Sequence, residues 1–160
     1  MRYLKVKIGE YNLEYNISLK NRVSFLVGDS ATGKSRLVDF ISKYNRSLDI
    51  NVSIDIELTS DFESVIVVNN KAQLLAIPKL HNSLILVDEL SMSLILSDPS
   101  IVEKSNNFFI FMYRDVISNI TTGVKGVLKL SSIKKDGITV NYIECIYSFN
   151  ECSENTRYAK

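Results

Sequence analysis

The sequence predicts an α/β fold: a mainly parallel sheet flanked by helices, with antiparallel hairpins at the N- and C-terminal ends. Three observations carry this. The continuous apolar runs at 84–87 and 108–113 have the character of strands buried on both faces. A strand-like stretch, residues 22–27, passes through a glycine-bounded loop into helical spacing at Leu37, Phe40, Ile41 and Tyr44. Period-two alternation brackets the chain, at 3–19 and again at 124–147.

Taken in order, residues 3–8 and 13–19 alternate around Gly9-Glu10 and read as a β-hairpin. After the strand at 22–27, a helix begins at Lys34 and Ser35. Val52, Ile54, Ile56 and Leu58 restore strand spacing, and 64–68 is a short buried strand. Residues 71–80 read as a helix carrying Pro78 near its end. Next comes a central parallel strand at 84–87. Helical segments at 89–95 and 101–104 follow, interrupted by Pro99, and lead into the strand at 108–113 and a turn or short helix through Asn119. The strands at 124–130 and 138–147 join at Asp136-Gly137, a strong hairpin signal. Residues 1–150 thus read as one domain, and the polar stretch 151–160 as a frayed tail.

Composition sets the boundaries of function. With 46% hydrophobic and 23% charged residues, the chain is no disordered polymer. A net charge of +1 excludes a bulk basic field for nucleic acid or anionic lipid. Two cysteines, Cys145 and Cys152, and one histidine, His81, provide neither a disulfide framework nor a zinc set, and no Ser-His-Asp triad is placed by the sequence. A reducing, cytoplasmic setting follows. The start of the chain is not a signal peptide. The apolar stretch 84–96 is broken by Asp88 and Glu89 and is too short to span a bilayer.

The sharpest signal is Gly28-Asp29-Ser30-Ala31-Thr32-Gly33-Lys34-Ser35, a complete G-x-x-x-x-G-K-[ST] phosphate loop (Walker A). Its glycines let the backbone wrap so that successive N–H groups hold phosphate oxygens, with Arg36 following in the same first turn. Lys34 reaches the β- and γ-phosphates, Ser35 puts its hydroxyl on Mg²⁺, and the helix start adds its positive dipole end. A strand before and an amphipathic helix after give the required context. The second signal is the apolar run 84–87 ending in Asp88-Glu89: Asp88 for Mg²⁺, Glu89 to polarise an attacking water.

A strand tipped by Asp-Glu, with extra strand between it and the phosphate loop, resembles the additional-strand, catalytic-glutamate branch of P-loop NTPases. The opening hairpin feeding into Val23-Ser24-Phe25-Leu26-Val27-Gly28 is similar to the start of ABC-type ATPase domains. The resemblance covers roughly residues 3–115 and implies that Arg114, at the end of the 108–113 strand, faces the γ-phosphate as a catalytic sensor beside Lys34 and Glu89. It also implies ATP or ADP with Mg²⁺ as cofactors. The departures are equally clear. Asp88 follows Lys34 by only 54 positions, too few for the helical insert of those ATPases, and no Leu-Ser-Gly-Gly-Gln signature precedes the acidic strand. Gln73 is the one candidate for a glutamine loop and is poorly placed. The chain therefore resembles a minimal or truncated relative, whose hydrolysis alone is slow or absent.

Other branches fit less well. Asn70-Lys71-Ala72-Gln73 lacks the aspartate of an Asn-Lys-x-Asp guanine reader, and six scattered arginines make no kinase lid. The sequence thus points to an Mg-ATP-binding protein with weak or partner-dependent ATPase activity. The alternative is a non-catalytic nucleotide-binding module acting as a regulatory or inhibitory protein-interaction factor. An origin in a phage or mobile element fits the low alanine and abundant isoleucine, asparagine and lysine of an AT-rich genome. The partners expected are nucleotide and a protein partner or second copy, with no membrane. Lys129, Lys134 and Lys135 with Tyr142 and Tyr147 read either as a nucleic-acid surface or as a solvated hairpin. Arg114-Asp115 reads either as the sensor or as a surface ion pair. His81 reads as a loop residue and Cys145 as a small buried hydrophobe.

Overall fold

Leu13, Tyr15, Ile17 and Leu19 are buried while the residues between them are half-exposed, the pattern of a strand with one face in the core. This strand, β2 (Leu13–Leu19), pairs antiparallel with β1 (Arg2–Ile8) across a 3-10 turn at Gly9–Tyr11. The computed structural model describes residues 2–27, 33–46, 54–58, 62–88, 91, 95, 98, 100–112 and 124–150. The other strands are β3 (Val23–Leu26), β4 (Ile54–Leu58), β5 (Val65–Val68), β6 (Leu84–Val87), β7 (Phe108–Met112), β8 (Val124–Lys135) and β9 (Ile138–Asn150). The helices are α1 (Lys34–Arg46), α2 (Lys71–Ala76) and α3 (Ser100–Glu103).

The nine strands form one sheet in the order β4-β1-β2-β9-β8-β3-β7-β6-β5. The expected helix-flanked, mainly parallel α/β sheet is therefore corrected. Among the described residues strands outweigh helices, 52% against 26%, and the sheet is mixed. Antiparallel pairing joins β4 to β1, β1 to β2 and β9 to β8, whereas β2–β9 and all pairs from β8 to β5 are parallel. The C-terminal hairpin is not an appendage at one end. It occupies the middle of the sheet, β9 against β2 and β8 against β3.

Two apolar layers explain why some strands alternate and others do not. One layer gathers Leu4, Val6, Ile8, Tyr15 and Ile17 with Ile110, Leu128 and the α1 residues Leu37, Val38, Phe40 and Ile41. Each large α1 side chain buried there contributes about 1.5–3 kcal/mol. The other layer gathers Val23, Phe25, Ile85, Val87, Phe109 and Phe111 with Leu74, Ile77 and Val102. β3, β6 and β7 are thus buried on both faces and read as continuous apolar runs. β1 and β2 have one covered face and read with period two.

Local chemistry sets the element ends. Asn70 Oδ1 accepts from the Gln73 N–H at 2.9 Å, and Gln73 Oε1 accepts from the Asn69 N–H at 2.7 Å, a reciprocal N-terminal cap on α2. That cap is what residues 70–73 do in the fold. Pro78 turns the end of α2 into a 3-10 turn at Ile77–Lys79. Asp136 and Gly137 both have positive φ, 55° and 81°, closing the β8–β9 hairpin. β8 and β9 also extend beyond their expected ends, to Lys135 and Asn150.

Candidate functional site

β3 and α1 position the second half of the phosphate loop. The helix begins at Lys34, and its first turn carries no acidic residue. Lys34 is buried at 7% exposure, whereas Ser35 and Arg36 are exposed. The N-terminal end of a helix, with its outward N–H groups and positive dipole end, favours an anion. Gly33 has φ +96°, a conformation that suits glycine. Its carbonyl accepts from the Leu37 N–H at 3.2 Å and from the Tyr15 hydroxyl at 3.3 Å. With the carbonyl held down the helix, the trans peptide directs the Lys34 N–H out of its N-terminal end.

Tyr15 has no counterpart among the residues singled out from the sequence. It is 1% exposed and reaches Gly33 from β2. Burial raises its pKa above the ordinary 10.0, partly offset by the Arg36 charge, so the hydroxyl keeps its proton and donates. The signal was a tyrosine among leucines and isoleucines at the inward positions of β2, because a buried phenol needs a polar partner. Arg36 itself has its guanidinium 5.9 Å from the ring centres of both Tyr11 and Phe40, at the outer reach of a cation–π contact.

The acidic strand comes to the same sheet edge. β3, β7 and β6 are consecutive parallel strands, so their C-terminal tips lie together. Asp88 follows β6 directly and is half-buried. Its N–H donates to the Val68 carbonyl at 3.4 Å, and its carbonyl accepts from the Ser91 N–H at 2.9 Å. Two strand spacings put this tip about 10 Å from that of β3. The Ser35 hydroxyl and Asp88 carboxylate are hard oxygen donors, the set that suits Mg²⁺ with phosphate oxygens and water completing its shell. Gly28, Asp29, Ser30, Ala31, Thr32, Glu89 and Arg114 lie outside the described residues, as do Asp115 and Cys152.

The remaining candidates separate. Lys129 and Tyr142 share one face of the β8–β9 ribbon, while Lys134 is on the other by strand alternation. Glu144 stands directly opposite Lys129 and balances its charge. Cys145 is half-buried, packs against the α1-side core and donates its thiol to the Tyr147 carbonyl at 3.2 Å. His81 is exposed in the turn before β6. Among the described residues there is no cluster of three or more His, Cys, Asp or Glu, and no helix is long and apolar enough to cross a membrane. No protein-family model matches the chain, and no curated protein matches it either.

Proposed function

We propose that the chain binds Mg-ATP at the 28–36 loop and is a weak or partner-dependent ATPase. The observation that carries this reading is a complete phosphate-loop sequence whose lysine is buried at the first turn of a 13-residue helix, a turn without acidic residues. Backbone N–H groups and Lys34 bind the phosphates, and Ser35 and Asp88 are the residues to hold the metal, which would supply charge neutralisation between the β- and γ-phosphates. The position of Asp88, one strand removed from β3 on the same sheet edge, supports the pairing of these two motifs. Glu89 adjoins Asp88 in sequence and is the residue to accept a proton from the attacking water. Arg114 follows β7 by two positions and is the candidate to face the γ-phosphate.

The likeness to the catalytic-glutamate P-loop proteins rests on these motifs and on the placement of β7 between β3 and β6. Without a signature motif of its own, the chain depends on a partner for rapid turnover. The test is phosphate release with wild type and Glu89→Gln. The substitution should retain nucleotide and abolish release. Equal release by both proteins, or by Lys34→Ala, would refute the assignment of hydrolysis to this site. Nucleotide retention with no release from wild type, alone or with a captured partner, leaves a binding module instead.

A further inference from the structure

At the edge where β3, β6 and β7 begin, opposite the phosphate loop, the chain forms an open cleft of about 460 Å³. That volume lies within the range of about 300–1,000 Å³ common to small-molecule sites. Ile77, Pro78 and Leu80 line it from the 3-10 turn after α2, and Ile101 lines it from α3. His81 and Lys104 stand in the same lining, and both are exposed at their outer ends.

The walls are built rather than incidental. Asn107 is fully buried. Its Nδ2 donates to the Leu80 carbonyl at 3.0 Å, and its Oδ1 accepts from the Ser83 N–H at 3.0 Å. It therefore ties the loop that carries Ile77 and Leu80 to the segment that follows α3. From behind, the Arg22 guanidinium collects the carbonyls of Val102, Ser105 and Asn107 at 3.1, 2.8 and 3.1 Å. The partial negative charge at the C-terminal end of α3 is neutralised there and does not repel an anion in the cavity. Asp98 and Glu103, the described acids of this segment, are not in the lining, and the Asp98 carboxylate is engaged by the hydroxyl of Ser100, a lining residue, at 2.5 Å.

An apolar cleft with the Lys104 ammonium at its rim selects an apolar body bearing one negative charge. We propose that this cavity binds a small amphipathic monocarboxylate, its hydrocarbon part against Ile77, Leu80 and Ile101 and its carboxylate at Lys104, with His81 beside it. The four-residue strand β6 separates the two edges by about 13 Å. The site therefore stands independently of the nucleotide reading.

The probes are 4-phenylbutyrate and its uncharged analogue 4-phenylbutan-1-ol, titrated into the isotope-labelled protein and followed by amide shifts. The acid should bind with a dissociation constant of about 1 mM or tighter, the strength a dozen non-hydrogen atoms can supply. The shifts should centre on residues 77–81 and 100–106, and the alcohol should bind more weakly. Ile101→Trp puts a bulky ring where the hydrocarbon part lies and should weaken the acid at least about tenfold. Lys104→Gln, a surface change that leaves the core untouched, should weaken the acid about two- to fivefold and leave the alcohol unchanged. Shifts absent at about 10 mM acid would overturn the proposal. So would equal binding of acid and alcohol, or full affinity in a cooperatively folded Ile101→Trp.

Discussion

Replacing Tyr15 with phenylalanine removes the hydroxyl that reaches Gly33 and leaves the ring in place. The lost contact is the hydroxyl donation to the Gly33 carbonyl at 3.3 Å, long for an O–H···O bond. Gly33 keeps its bond from the Leu37 N–H at 3.2 Å, so no buried acceptor is orphaned. A net hydrogen bond contributes about 0.5–1.5 kcal/mol, and this geometry belongs at the lower end, about 0.5–1 kcal/mol. For a chain of this size that lowers Tm by about 1–4 °C. If loop geometry is what the bond secures, ATP affinity falls by no more than the same free energy, about fivefold at most. Alkaline melts provide a second readout. Burial holds the Tyr15 pKa above 10.0, so above that pH the unfolded chain loses a proton that the folded chain retains. Wild-type stability then declines as pH rises past 10 toward the folded pKa, and Tyr15→Phe lacks this component. A variant with unchanged or higher Tm, unchanged nucleotide affinity and the wild-type alkaline slope would refute the role given to Tyr15.

Two further substitutions probe the frame that holds the edges of the sheet. At Gly126, an added Cβ would lie 2.8 Å from Asn21 Oδ1 and 3.0 Å from Ser24 Oγ. Gly126→Ala should therefore cost about 1–3 kcal/mol in urea unfolding, and adding Asn21→Ala should restore part of it. Asn107→Leu keeps the branched shape but strips the buried Ser83 N–H of its acceptor, costing about 2–4 kcal/mol by the shift in urea midpoint.

What was legible in the sequence was whatever local chemistry decides. Asp136-Gly137 was readable because a tight hairpin needs positive φ at both positions. The start of α1 was readable because the loop motif and the apolar spacing of Leu37, Phe40 and Ile41 coincide. The fold class was misjudged for a non-local reason. Alternation in β8 and β9 identifies a hairpin but not its neighbours, and the parallel pairings Leu13↔Thr139 and Val23↔Lys125 link segments over a hundred residues apart. The helix expected over 71–80 is shorter as an α-helix, since Pro78 ends α2 after six residues and continues it as a 3-10 turn, whereas the four-residue segment expected at 101–104 is found one position earlier as α3. Gln73 resembled a site residue because a capping amide and a ligand-sensing amide look alike in sequence. Tyr15 was hidden because its ring satisfies the apolar period of β2 and only its hydroxyl has another task. The cavity near Ile101 was invisible, since its two walls come from separate loops joined by Asn107.

The central claim is that Lys34 and its loop hold the phosphates of a magnesium nucleotide, and a calorimetric titration with ATP tests it most directly. Wild type should bind one ATP per chain, more tightly with Mg²⁺ than with chelator, and Lys34→Ala should lose at least about tenfold in affinity while melting as a folded protein, because it removes a charge-assisted contact to phosphate. No binding by wild type, or binding that neither Mg²⁺ nor Lys34→Ala changes, would contradict the account.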